Sequence, residues 1–203
     1  DLGEIYAPLK GLRYRFNFGP DFRYYRNGTF RNEESISSEG KNRASLSNQS
    51  DFSWTLDNLI YYDKEFGKHS VGLTLLQSAT GYHYEESSMA AEGIPLESAK
   101  WNALSKENVS LLDEWNSGLI EKQLLSYMFR VNYDYNNKYL LTVSGRWDGA
   151  SQLAEGNKWA FFPSAALGWR LDQEEFLKDV TWLNQLKFRL GVGVTGNSAI
   201  DPY

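Results

Sequence analysis

The stretch YMFRVNYDYNNKYLLTVSGRWDG, residues 127–149, alternates on both sides of a Tyr-Asn-Asn-Lys tight turn. Before the turn, Leu125, Tyr127, Phe129, Val131, Tyr133 and Tyr135 are apolar or aromatic, while Ser126, Met128, Arg130, Asn132 and Asp134 between them are mostly polar. Beyond it, Tyr139, Leu141, Val143 and Trp147 alternate with Thr142, Ser144, Arg146 and Asp148. A period of two puts one series on each face of a sheet. A soluble β-sandwich covers the apolar face with a second sheet. A membrane barrel leaves that face in lipid and turns the polar face inward.

The composition favours the second arrangement. Hydrophobic residues make up 41% of the 203 residues, yet aromatics reach 15%, with 13 Tyr, 11 Phe and 7 Trp. The mean hydropathy of -0.53 is that of a water-soluble chain. A transmembrane β-barrel reconciles these values, because only alternate residues meet lipid and aromatics ring both interfaces. No apolar run approaches the ~18 residues of a membrane helix. The net charge of -5 gives no basic patch for nucleic acid. With no cysteine, a disulfide scaffold and a Cys-ligated zinc site are excluded. The opening Asp1-Leu2-Gly3-Glu4 shows no leader pattern, so a signal peptide is missing or already removed.

The same alternation recurs along the chain. GLRYRFNFG sets Leu12, Tyr14, Phe16 and Phe18 against Arg13, Arg15 and Asn17. DFSWTLDNLIYY places Phe52, Trp54, Leu56, Ile60 and Tyr62 on one side, with Asn58 a polar exception. SVGLTLLQSAT aligns Val71, Leu73, Leu75 and Ala79, with Leu76 and Gln77 out of place. FFPSAALGWRL offers Phe161, Pro163, Ala165, Leu167, Trp169 and Leu171. LKFRLGVGVTG sets Leu186, Phe188, Leu190, Val192 and Val194 against Lys187, Arg189, Gly191 and Gly193. The expectation is an all-β, antiparallel up-and-down meander of about seven strands. Pro163 predicts a bulge or a strand start.

Connection lengths add a second signal. Asp63 to Lys68 and Asn136 to Lys138 are short, whereas 27–45, 87–118 and 149–158 are longer and polar. Outer-membrane barrels have short periplasmic turns and longer extracellular loops. If the first strand runs outward, the longer loops all fall outside. Asp172 to Asn184 is the exception, an inner connection whose DQEEFLKDV predicts a helical turn. Trp101, Leu104, Asn108 and Leu112 fall at three- and four-residue steps, predicting a short helix in the longest loop. An odd strand number cannot close an up-and-down barrel, so residues 1–203 are expected to be a segment of a larger transmembrane β-barrel.

The runs YMFRVNYDYNNKYLLTVSGRWDGAS, NKWAFFPSAALGWRL with EEFL, and LKFRLGVGVTGN resemble the SusC/RagA-like TonB-dependent transporters. The motifs that carry the resemblance are Tyr135–Tyr139, Arg146–Ser151, Phe162–Ser164 and Gly193–Asn197, dense from about 125 to 200 and looser before. The family follows its Asp-Gly-Ser with Ser-Arg-Phe, whereas this chain has Gln152 and Leu153 after Ser151. Nothing in it resembles the family's plug, TonB box or small periplasmic domain. The resemblance implies part of a roughly 22-stranded plugged barrel in the outer membrane of a Gram-negative bacterium. It implies energised import of nutrients, mainly glycan oligosaccharides and sometimes peptides. The implied partners are a SusD-like surface lipoprotein, the TonB complex acting through the plug region, and outer-membrane lipid. No cofactor is expected. The alternative is a soluble β-sandwich acting as a carbohydrate-binding module.

Within a barrel, Arg13, Arg15, Arg130, Arg146, Arg170, Lys187 and Arg189 fall on the lumen face. They either meet plug carboxylates or an anionic substrate, or form a solvated wall, and the wall is the plainer reading. The candidates for substrate or lid contact are Trp101, Trp115, Tyr82, Tyr84, Trp147 and Trp159. Trp101 and Trp115 either stack on sugar rings or pin their loop, and pinning is favoured because buried aromatics usually provide packing area. His69 and His83 lack neighbours at metal-ligand spacing and read as surface residues. Glu33-Glu34, Glu85-Glu86 and Glu174-Glu175 point to opposite faces of an extended chain, so none pre-forms a glycosidase pair. No nucleophile-elbow, P-loop or zinc motif occurs, and no enzyme is expected.

Overall fold

The computed structural model describes residues 10–36, 39–95, 97–105, 111–177, 180 and 182–197, with the side chains of 111–113 left aside. Seven strands follow one another: β1 (Leu12–Arg31), β2 (Arg43–Phe66), β3 (His69–Glu92), β4 (Leu111–Tyr135), β5 (Tyr139–Ala150), β6 (Trp159–Arg170) and β7 (Lys187–Gly193). They form one sheet in sequence order, with β1 and β7 at its two edges. Short 3-10 turns occupy Glu97–Asn102, Leu171–Gln173 and Glu175–Leu177. The chain divides into two compact units. The first comprises Asp1–Gly19, Thr55–Thr80 and Gln123–Tyr203, and the second Pro20–Trp54 and Gly81–Lys122. Strands β1 to β4 run through both.

The strands are longer than alternation predicts. β1 continues to Arg31 and β2 begins at Arg43, shrinking the 27–45 loop to its middle. β3 reaches Glu92 and β4 starts at Leu111, so part of the 87–118 connection at each end is strand. Only Glu97–Asn102 is helical there among the described residues, as a 3-10 turn kinked at Lys100. The helix expected through Leu112 is not formed, because Leu112 belongs to β4, while Asn108 lies outside the described residues. The helical turn expected in DQEEFLKDV appears as the two 3-10 turns after β6.

The Tyr-Asn-Asn-Lys turn closes a hairpin with three residues, Asn136–Lys138, between the paired Tyr135 and Tyr139. Asn136 and Asn137 both take positive φ, 56° and 53°, and Lys138 N–H donates to the Tyr135 carbonyl at 3.0 Å. Positive φ at both central residues is the type I′ geometry, whose twist matches paired strands and which asparagine tolerates. The Asp134 carboxylate accepts from Asn137 N–H at 2.7 Å and fixes the turn further.

Register then decides the faces. Tyr127 pairs with Trp147, Val131 with Val143, Tyr133 with Leu141 and Tyr135 with Tyr139. Across β6 the same row continues as Tyr139 with Trp169, Leu141 with Leu167 and Trp147 with Phe161. β7 extends it, with Leu190 beside Leu167 and Phe188 beside Trp169. The opposite face holds Arg130 across from Ser144, Asn132 from Thr142, and Arg170 from Lys187. No second sheet covers the apolar face among the described residues. Leu167 is 59% exposed and Val192 76%. A sandwich would bury these, so the sandwich alternative does not describe this chain.

Pro163 forms neither a bulge nor a strand start: it lies inside β6, paired with Gly145 in an unbroken register. Its carbonyl accepts from Val194 N–H at 3.0 Å, so the missing N–H faces the β7 side. The ladder pairs stop there at Ser164 and Gly193, and of the two bonds that positions 163 and 194 could exchange only the one from Val194 N–H forms.

Two local devices hold the β5–β6 region. At Gly145 a Cβ would stand 2.6 Å from the Phe129 ring and 2.8 Å from the Phe161 ring. The glycine therefore leaves room for Phe129 and Phe161 on either side of Trp147, whose centroids lie 6.1 and 4.2 Å away. After β6, the Glu174 carboxylate accepts from Lys138 Nζ, Tyr139 OH and Trp169 Nε1, each at 2.9 Å. It thereby ties the β4–β5 turn to the β6–β7 connection. The Lys138 ammonium foremost, then the Trp169 indole and Tyr139 hydroxyl, hold Glu174 below the usual carboxylate range. The same bond raises Lys138 above the usual ammonium range.

Gly145→Val should destabilise the intact barrel by about 1–3 kcal/mol through overpacking, read from its urea-unfolding midpoint in bilayers. Gly19→Ala, whose Cβ meets nothing within 4 Å, should leave that midpoint in place. The Glu174 knot has an acid limit. A carboxylate whose pKa falls on folding adds stability above its unfolded value near about 4.3 and loses it as pH drops through the lowered one. The stability difference between wild type and Glu174→Gln should therefore be constant at neutral pH. It should vanish only below the usual carboxylate range.

Candidate functional site

The apolar face of the first unit carries two rows of rings. One runs Phe66, His69, Tyr135, Tyr139, Trp169, with successive centroids 5.2, 5.0, 6.4 and 6.5 Å apart. His69 Nδ1 also lies 2.7 Å from the Tyr133 hydroxyl, so this histidine is part of the row rather than a free surface residue. The other row comprises Phe129, Trp147 and Phe161, with Tyr127 stacked on Trp159 at 6.3 Å. Tyr127 and Tyr135 bracket nine residues of β4, Tyr139 and Trp147 nine of β5, and Phe161 and Trp169 nine of β6. The register aligns both ends across all three strands. A tilted transmembrane strand needs about 9–11 residues, and barrels flank their apolar band with aromatic girdles. Trp147 and Trp159, named from sequence as contact candidates, stand in these ring rows, on the face away from Arg146.

The opposite face carries the seven cations. Arg146 Nε donates to both Asp148 carboxylate oxygens at 2.7 and 2.9 Å, and its Nη2 donates to Ser126 Oγ at 3.0 Å. Ser126 is only 1% exposed. The Arg-x-Asp spacing thus places two charges on one face of one strand, where they pair locally. Arg170 and Asp172 repeat the device at 3.0 Å. Arg13 reaches Asp63 at 2.5 Å, and Arg15 donates to Asn17 at 2.9 Å. Arg15, Arg130, Lys187 and Arg189 are exposed and have no ion pair among the described residues. Ser151, which ends the Asp-Gly-Ser motif, exchanges bonds with the Gln123 backbone: Gln123 N–H donates to its Oγ, and its own N–H donates to the Gln123 carbonyl, both at 2.9 Å.

The second unit holds the remaining candidates. The Trp101 ring lies against Gly28 of β1, where a Cβ would collide with it. Arg26 Nη2 reaches Asn102 at 3.5 Å beside it. Trp115 sits in β4 rather than in a loop and is 78% exposed. The Tyr82 hydroxyl donates to Asp51 at 2.8 Å, and that of Tyr84 to Glu86 at 2.6 Å. His83 bridges Glu85 at 3.1 Å and Glu121 at 3.0 Å. Sequence spacing missed this cluster: Glu85 shares the strand face of His83 two residues on, but Glu121 arrives only through β4. Nearby, Tyr24, Asn48, Glu85, Glu86, Ser117 and Leu119 line an open groove of about 540 Å³. Where β3 ends, Glu92 is buried and paired with Lys41 at 2.8 Å and with Arg43. Asn42 caps the same corner, donating to the Ile94 carbonyl at 3.1 Å.

No family model matches the chain. It is 33% identical over 206 residues to the TonB-dependent receptor P26 of Formosa agariphila, covering 98% of this chain and 20% of that protein. It is 33% identical over 198 residues to the TonB-dependent receptor SusC of Bacteroides thetaiotaomicron, covering 92% and 19%. Among solved structures, the RagAB peptide transporter superposes with a TM-score of 0.86 at 22% identity, over 97% of this chain and 22% of that one. The chain thus spans about 20% of the length of the curated relatives it matches. Over about 200 residues the chain is thus similar to the TonB-dependent receptors, SusC among them, which are outer-membrane proteins and not enzymes, and its open antiparallel sheet matches a segment of such a barrel.

Proposed function

We propose that the chain forms part of the barrel wall of a TonB-dependent importer of glycan oligosaccharides or peptides. The face bearing the ring rows lies in lipid and the cation face lines the lumen. One observation carries the orientation: nine-residue spans between aromatic ends, in register on β4, β5 and β6, on the face that lacks Arg and Lys. Placing Arg130 or Arg146 in mid-membrane lipid would cost about 2–4 kcal/mol each, whereas a polar lumen accepts them. Arg15, Arg130, Lys187 and Arg189 are the charges free for a plug carboxylate or an anionic group on the cargo. A SusD-like lipoprotein working over the long connections and TonB acting through a plug complete the reading. The glycan class follows from the SusC-like family motifs, and the peptide class from the likeness to the RagAB peptide transporter. Trp101 acts here as a pin for the β3–β4 connection, while exposed Trp115 and Tyr82 and half-buried Tyr84 are the residues offered to lid or cargo.

The orientation is tested by single cysteines in the intact receptor. Val143→Cys should resist an aqueous maleimide and be quenched, once labelled in detergent, by nitroxide-bearing lipid. Thr142→Cys should do the reverse, and exchanged results would turn the barrel inside out. Import is tested by uptake of the cognate nutrient. Replacing Glu97–Asn102 with a Gly-Ser linker should leave the barrel folded, since loop changes cost little stability, while uptake or lipoprotein retention falls several-fold. Cells without TonB should lose uptake altogether, and undiminished uptake there would make the protein a passive channel.

A further inference from the structure

Two amides interrupt the apolar face where rings would be expected. In the short-turn row β2 contributes Phe66 and β3 His69. Eight residues along each strand toward the other row stand Asn58 and Gln77. They share a groove with Tyr127 and Trp147 of that row, which places them at the same level. The two are bonded to each other and to β1: Tyr14 OH donates to Asn58 Oδ1 at 2.6 Å, and Asn58 Nδ2 donates to Gln77 Oε1 at 2.6 Å. A primary amide has two N–H donors. Asn58 therefore keeps one N–H, and Gln77 keeps both, without an acceptor among the described residues. The groove beside them, about 350 Å³, is otherwise apolar, walled by Ile60, Leu75, Phe129 and Trp147.

We propose that this groove holds an acyl chain of an ester-linked membrane lipid, with the Asn58 and Gln77 amides donating to its ester carbonyl. The proposal rests on the reading that this face lies in lipid. Amide donors at the edge of a hydrocarbon band need acceptors, since leaving them unmet costs free energy. A ligand that brings an acceptor at one end and an apolar rod behind it matches both the amides and the walls. The membrane surrounding the band supplies such a molecule in the ester linkage of its lipids. The two polar exceptions in the alternation then mark a lipid seat and not a defect.

The test uses the intact receptor, stripped of lipid in mild detergent and re-supplied with ester-linked phosphatidylethanolamine. Retained lipid is counted by native mass spectrometry. Wild type should hold one lipid more than Asn58→Leu/Gln77→Leu, and the ether-linked analogue should bind roughly thirty-fold more weakly, as the loss of both amide hydrogen bonds implies. Leu75→Trp fills the groove while leaving the amides, and should also release the lipid. Equal lipid counts in wild type and both variants, or no preference for ester over ether, would overturn the proposal. A doubled protein mass that depends on the same amides would also overturn it, in favour of a contact between copies. The Val143→Cys quenching experiment separates the two failures. Quenching with equal lipid counts removes only the lipid seat, whereas no quenching removes the lipid-facing reading beneath it.

Discussion

Register between neighbouring strands is the constraint from which the other features follow. In a sheet with one apolar face, a one-residue slip exchanges the two faces completely. In hydrocarbon the backbone has no water to fall back on, so every ladder group must find a strand partner. The β4–β5 register starts from the Asn136–Asn137 turn and its Asp134 bond. The β5–β6 register is clamped near the same end, where Glu174 gathers Lys138, Tyr139 and Trp169. Once those two points are set, Tyr127, Trp147 and Phe161 must align eight residues further on.

Within this segment the sheet encloses almost no core among the described residues. Among the described residues the buried apolar side chains are only Ala44, Ala91, Ile94 and Ala150. Cohesion comes instead from the ladder and from cross-strand pairs, each worth roughly 0.2–1 kcal/mol. Stacked rings such as Trp147 on Phe161 add about 0.5–1.5 kcal/mol beyond their area. The ion pairs of the cation face add little, because Arg13 and Asp63 are well exposed and such pairs are worth at most about 1 kcal/mol. Their use is positional: Arg146 held by Asp148 and Ser126 is kept on its own face.

Alternation in residues 127–149 disclosed the faces, the tight turn and the strand count, because side-chain parity is written into the sequence. Strand ends were less legible. Once both faces of a strand meet polar surroundings the period of two fades, and 111–118 and 87–92 read as loop although they are strand. Partners distant in sequence were invisible too. Asn58 looked like an error until Gln77 and Tyr14 stood beside it. His83 looked isolated until β4 brought Glu121. Trp101 gave away its helix-like spacing but not Gly28, 73 positions earlier, which provides its seat.

The surplus length of the strands bears on how a cargo would be met. β4 has 25 residues and β2 and β3 have 24 each, against about 9–11 needed to cross a bilayer. The excess falls in the second unit, where the face pattern gives way to hydroxyls, amides and carboxylates joined strand to strand. Tyr24 with Asn48, Tyr82 with Asp51 and Thr29 with Ser45 are such joins. Groups held on paired strands lose less freedom on binding than groups on loops, because their ordering cost was met on folding. The open groove at Glu85, Glu86 and Ser117 has walls of this kind, formed by residues of β1 to β4.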